Sequence, residues 1–134
     1  PLLRASGGGA VVFITSSSVR QPIDGLDSSN VLRPGVAALA KVLSRELAPA
    51  IRVNSVAPGR IDTDRVRSLD AGRAGTLGVS AEEVRRGHIA TIPLGRYGEP
   101  AELGRLVAFL LSDAASYVNG AAIQVDGGMV SALP

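Results

Sequence analysis

A chain of 134 residues suffices for one domain with a modest core, and an apolar fraction of 46% excludes a disordered polymer. Aromatic residues make up only 3%, too few for the stacking platforms that single-stranded nucleic acid uses, and a formal charge of +2 without a Lys/Arg run offers no basic patch to a polyanion. The absence of cysteine removes disulfides and thiolate metal sites, and no metal site is expected elsewhere. No apolar run reaches bilayer length and no signal-peptide pattern is visible, so a cytoplasmic protein without membrane or nucleic-acid partners is expected. The chain opens Pro1-Leu2-Leu3 without Met, an opening expected where the start is not a natural translation start.

Gly7-Gly8-Gly9 predicts a turn into the strand Ala10 to Ile14, whose unbroken apolar run suits a parallel strand covered on both faces. Ser16 to Gly25 reads as a loop. Leu32, Val36, Leu39, Leu43 and Leu47 then recur at helical spacing, with Asp27, Ser28 and Ser29 as candidate caps. Pro34 cannot donate a backbone hydrogen bond, so either the helix begins near it or an earlier first turn is kinked there. Pro49 closes the helix, and Ile51 to Val56 is the second strand, running into Pro58-Gly59.

Residues 64–96 form a long polar stretch, expected to be a lid or substrate loop. Within it Ser80-x-x-Glu83 is a capping box that predicts a helix near Ala81 to Ala90. Glu99-Pro100 opens another helix, with Leu103, Leu106, Val107, Leu110 and Leu111 as its buried face. Asn119-Gly120 turns the chain into a last strand, Ala121 to Val125, and Asp126-Gly127-Gly128 reads as a turn rather than a metal loop. The order strand, helix, strand, lid, helix, strand predicts an α/β fold over residues 1–134. Its three-stranded parallel sheet should carry one main helix on each face.

The most informative segment is Ile51 to Thr63, a β-branched strand that ends in Pro58-Gly59 and opens into a loop carrying Ile61 and Thr63. Such a turn lies at the carboxyl edge of a sheet, where open α/β sheets bind ligands. With Ser112 to Gly120 and Val125 to Gly128, it resembles the short-chain dehydrogenase/reductase family. The resemblance runs from about Gly9 to Gly128 and covers the carboxyl-terminal half of a family member, part of a Rossmann-like doubly wound sheet. It implies an oxidoreductase using NAD or NADP on a small-molecule carbonyl or secondary alcohol, and assembly into homo-oligomers. The family's glycine-rich pyrophosphate turn and its catalytic Asn would lie before Pro1. No G-x-G-x-x-G turn occurs here between a strand and a helix, so tight cofactor binding by this chain alone is not expected.

By position, Ser16 takes the place of the family's catalytic Ser, where its hydroxyl would hold a substrate carbonyl. Ser29 and Arg33 stand where the family has Tyr and Lys, in a Ser-Asn-x-x-Arg start seen in some divergent members. Carbonyl reduction needs a proton donor, and an alkyl hydroxyl such as Ser29 is a far weaker acid than a phenol. Arg33 would bond a ribose hydroxyl and supply positive charge, yet it cannot relay a proton. Pro58, Gly59, Ile61 and Thr63 would contact the nicotinamide end of the dinucleotide.

Plainer roles stand beside these: loop capping for Ser16, helix capping for Ser29, a solvated charge for Arg33, a strand-ending turn for Pro58-Gly59, and a structural role for His88. Tyr97 and Tyr117 are the only phenols that could replace the missing acid. The functional alternatives are part of an NAD(P)-dependent oxidoreductase, or a non-catalytic remnant that folds and self-associates without tight dinucleotide binding. Self-association is expected through the open edge of Ala10 to Ile14, the helix from Pro34 to Leu47, or the last helix and strand.

Overall fold

Two apolar runs and one short strand build the sheet. In the computed structural model, which describes residues 1–132, β1 (Gly9–Ile14), β2 (Ile51–Pro58) and β3 (Ala122–Val125) pair in parallel in the order β1-β2-β3. Val11 stands opposite Val53, and Ser55 opposite Ala122. A short α1 (Leu2–Ala5) precedes β1, and α2 (Asp27–Glu46) joins β1 to β2. Between β2 and β3 come α3 (Asp64–Leu77), α4 (Ala81–Ile89) and α5 (Pro100–Leu111).

The central strand is covered on both faces, as its β-branched sequence requires. Ile51 and Val53 pack with Ala40, Leu43 and Leu47 of α2. Val56, on the opposite face, packs with Leu106 and Leu110 of α5 and with Ala115. Val53, Val56 and Leu110 are all fully buried, and each contributes about 1.5–3 kcal/mol by leaving water. The expected α/β layering is therefore realised.

Polar residues fix how β3 meets this core. The Asn54 side chain donates to the Val118 carbonyl at 2.9 Å and accepts from the Ala121 N–H at 3.0 Å. Asn119 accepts from the Val53 N–H and donates to the Ser44 carbonyl. The Arg52 guanidinium reaches the carbonyls of Leu110 and Ser112 at the end of α5, satisfying groups that a helix terminus leaves unpaired. Gly59 must lack a Cβ, because one would lie 2.6 Å from the Asp126 Cβ. The Asp126 carboxylate in turn accepts from the N–H groups of Gly128 and Val130, which holds the expected turn.

Several details differ from the sequence reading. The helix α2 starts at Asp27 and contains Pro34, and its N-cap is Leu26, without a side-chain cap bond. The Asn30 amide anchors this early first turn by bonding both the N–H and the carbonyl of Ile23. Leu32 and Leu39, expected in the core, are exposed with Val31 and Val42. The polar stretch after β2 holds two helices rather than one. Unforeseen α3 runs from the Thr63 N-cap to Gly78, which takes the left-handed conformation at φ 68°. The capping box of Ser80 and Glu83 opens α4 as expected. No helix among the described residues is long and apolar enough to cross a membrane.

Candidate active site

The carboxyl ends of β1 and β2 deliver the candidate residues. The N–H and Oγ1 of Thr15 both bond the Val56 carbonyl at 2.8 Å, tying the end of β1 to β2. Ser16 follows as the N-cap of a 3-10 turn, Ser17–Val19, and its Oγ accepts from the Ser18 N–H at 3.1 Å. Ser16 Oγ is not a donor in any of these contacts, so its own O–H is free to meet a carbonyl oxygen.

Across this turn lies the first part of α2. The Ser29 Oγ sits 3.1 Å from the Ser18 Oγ, a bond between hydroxyls rather than a helix cap. Arg33 reaches back from α2 and donates from Nη1 to the Ile14 carbonyl at 3.2 Å. This contact aims the guanidinium at the mouth of the sheet. Ser16, Ser29, Arg33, Pro58 and Gly59 line one cavity of about 190 Å³, together with Val66, Leu69 and Met129.

Ile61 and Thr63 do not line that cavity. Ile61 is buried and forms a lone parallel bridge with Gly98. The bridge uses the Asp62 N–H and the Arg60 carbonyl, so the N–H and carbonyl of Ile61 stay outside the ladder. Thr63 caps α3 by accepting from the Val66 N–H at 3.4 Å.

A larger cavity of about 790 Å³ adjoins the first and shares Ser17, Ile23, Leu26, Arg60, Leu69 and Met129 with it. It opens under α3 and α4. Its wall contains a cluster that the sequence reading missed, centred on Asp70, whose side chain is 5% exposed. Asp70 Oδ1 accepts from Arg60 Nη1 at 3.0 Å, and Oδ2 accepts from the Tyr97 hydroxyl at 2.8 Å. His88 Nε2 lies 3.6 Å from Asp70 Oδ1. Burial and the bond to Asp70 push the Tyr97 phenol up to about 12. Burial and the nearby Arg60 push the His88 imidazole down.

These contacts decide the role of the phenols. Tyr97 spends its hydroxyl on Asp70, and the Arg85 guanidinium covers its ring at 4.2 Å. Tyr117 is fully exposed. Neither stands in for the missing acid. Arg85 also pairs with Asp62 at 3.0 Å, as does Arg67 at 2.9 Å, and these two cations hold the Asp62 carboxyl below its usual range. His88 and Tyr97 stood out in the sequence as the lone histidine and a phenol, and Arg60 directly follows Pro58-Gly59, but nothing linked the three. Asp70 sits inside a helix whose pattern hides it.

The family described as enoyl-(acyl carrier protein) reductase matches residues 1–130. Among curated proteins, the chain is 40% identical over 122 residues to the 3-oxoacyl-(acyl-carrier-protein) reductase MabA of Mycobacterium tuberculosis, covering 90% of this chain and 45% of that protein. A solved short chain dehydrogenase family protein from Francisella tularensis superposes with a TM-score of 0.88 at 34% identity, over 92% of this chain and 51% of the other. The L-sorbose reductase of Gluconobacter frateurii, solved with NADPH and L-sorbose, gives a TM-score of 0.89 at 31% identity, over 97% of this chain and 50% of the other. The chain thus spans about half the length of the relatives it matches.

Proposed function

The chain belongs to the short-chain dehydrogenase/reductase family, and on that premise we propose that it forms the substrate and nicotinamide half of an NAD(P)-dependent oxidoreductase acting on a small-molecule carbonyl or secondary alcohol. The observation that carries this reading is the single cavity gathering Ser16, Arg33, Pro58 and Gly59 at the carboxyl edge of the sheet.

The residues fit the nicotinamide end of the cofactor. Pro58 and Gly59, which line the cavity beside Ser16 and Arg33, would lie against the ring, while Ile61 is buried outside that lining. The fit does not extend to its phosphates. The strand-to-helix turns from Thr15 to Leu26 and from Gly59 to Thr63 each contain one glycine, whereas a pyrophosphate turn needs several. When bound, the nicotinamide would supply or accept the hydride, and the accompanying proton would pass from or to solvent water, because no phenol faces this cavity. Ser16 donates its O–H to the substrate oxygen and orients the carbonyl. Arg33 places a fixed positive charge beside the reacting centre and offers donors to a ribose hydroxyl.

A fluorescence titration of NADH and NADPH against the chain, its intact mass verified, tests the reading. Weak, saturable binding is expected because the phosphates find no glycine-rich turn here, and it should fall about tenfold in Arg33→Leu, the loss of one charge-assisted contact. No binding at millimolar cofactor would overturn it for this chain. A second reading, a non-catalytic self-associating domain, is favoured by a specific observation: Ser29 is bonded to Ser18 and no phenol faces the cavity. In that reading the exposed Val31, Leu32, Leu39 and Val42 of α2 are covered by another copy. A monodisperse monomer in light scattering at micromolar concentration would remove it.

A further inference from the structure

On its α2 face the sheet is not fully covered. Val53 packs against Ala40 there, and Ser55, two residues on along β2, points to the same side. Between this side of β2, the middle of α2 and the start of β3 lies a third cavity, of about 300 Å³. It shares no lining residue with either cavity at the carboxyl edge. Ser55 lines it, is 4% exposed, and carries a hydroxyl without a partner among the described residues. The side-chain hydrogen bonds around it are made by Ser44, Asn54 and Asn119 instead. Lys41 is fixed at the rim, because its Nζ donates to the Gly120 carbonyl at 2.9 Å and Gly120 lines the cavity too. Two of the three ammonium donors remain. Arg20, directly after the 3-10 turn, lines the same cavity and forms no ion pair among the described residues. No Asp or Glu lines it.

We infer that this cavity is a second binding site, for a small organic carboxylate held by Lys41, Arg20 and the Ser55 hydroxyl. The free polar groups are an ammonium, a guanidinium and a hydroxyl, all of which donate, and a carboxylate only accepts. Two cations without a counter-charge in the lining make those bonds charge-assisted. The Ser55 hydroxyl is shut off from bulk water, so its partner comes from within the cavity, and leaving it unpaired costs free energy that a ligand recovers. The rest of the lining is apolar, from Ala37, Ala40, Val53 and Ala122. An inorganic oxyanion meets the same donors but leaves that lining without contacts, whereas a short hydrocarbon tail fills it. The inference stands apart from the carbonyl-oxidoreductase reading, because the site uses neither Ser16 nor the carboxyl edge of the sheet.

The test follows the backbone amides of Ser55, Gly120, Ala121 and Ala122 by NMR at fixed neutral pH and constant ionic strength, with butyrate or inorganic phosphate replacing chloride. Butyrate should shift these amides saturably, and at lower concentration than phosphate. Arg20 is exposed and unpaired, so R20Q should fold, and it should weaken butyrate binding about tenfold. S55A removes no internal hydrogen bond, so its denaturation midpoint should not fall, while its butyrate affinity drops about fivefold. R86Q, exposed on α4, should bind butyrate unchanged. The absence of a saturable shift with butyrate overturns the inference, as does tighter binding of phosphate or an unchanged affinity in R20Q. The readout needs neither cofactor nor turnover, so failure to bind NADH is a separate result.

Discussion

The sheet and the lid are held by opposite chemistry. Around β2 the contacts are apolar and continuous, with Val53, Val56 and Leu110 wholly excluded from water. In α3 and α4 the fixed points are charges: Asp70 with Arg60, Tyr97 and His88, and Asp62 with Arg67 and Arg85. Water can replace the half-exposed Asp62–Arg67 pair at small cost, because exposed ion pairs contribute little net free energy, whereas the Asp70 cluster is buried. It cannot replace the apolar contacts around β2. If residues 64–96 act as the lid expected from the sequence, α3 and α4 should open while the sheet that presents Ser16 and Pro58-Gly59 stays fixed.

The comparison is sharpest under substitution. Leu110→Ala empties a fully buried site between α5 and β2 and should lower stability by about 3–4 kcal/mol, read as the shift in a chemical denaturation midpoint at unchanged slope. A loss below about 1 kcal/mol would mean that this face of the sheet is not the structural centre. Asp70→Ala should cost less and act locally. It leaves the Arg60 guanidinium and the Tyr97 hydroxyl without their shared acceptor, at about 2 kcal/mol. Amides of α3 and α4 should then exchange about 30-fold faster while those of β2 are unchanged. Equal acceleration in β2 would show that lid and sheet open together, and the contrast would collapse.

The same contrast explains what the sequence revealed. Apolar runs marked β1 and β2, and the periodicity of Leu103, Leu106, Val107, Leu110 and Leu111 marked α5. Burial and hydrophobicity coincide along β2 and at Leu110, but β1 is only partly buried with Ile14 exposed, and Leu111, expected in the buried face, is exposed as well. In α3 they do not coincide. Its buried positions are Asp70 and Ala74, its Leu69 and Leu77 are exposed, and Gly72 and Gly75 lower its helix propensity. Only its ends carried a signal, Thr63 as N-cap and Gly78 as terminator. For the site, the motif positions brought together Ser16, Ser29, Arg33, Pro58 and Gly59. The Asp70 cluster joins α3, α4 and the turn before α5, and no linear pattern records such a meeting. Leu32 and Leu39 show the converse error, since helical spacing alone does not say whether a face is covered by this chain.

The smallest expected effect separates lid from sheet by pH. The His88 imidazole, faced by Arg60, Asp70 and Arg73, has its folded pKa lowered below 6.5, chiefly by burial and then by Arg60. The folded lid therefore prefers the neutral ring, and below pH 6.5 the unfolded segment binds the proton more readily. The contribution of His88 is fully present above 6.5 and is lost as pH falls through the lowered folded value. The carboxylates act in another window. Glu102, paired with Arg96 and capping its own helix, is held down to about 2, so its contribution persists above 4.5 and disappears only as pH falls toward 2. Just below pH 6.5, then, amide exchange corrected for intrinsic rate should rise in α4 and stay level in β2. His88→Gln should flatten that rise without touching the acid limb to which Glu102, Asp62 and Glu83 contribute. An undiminished rise in the variant would assign it to another group and leave the lid without its neutral-pH sensitivity.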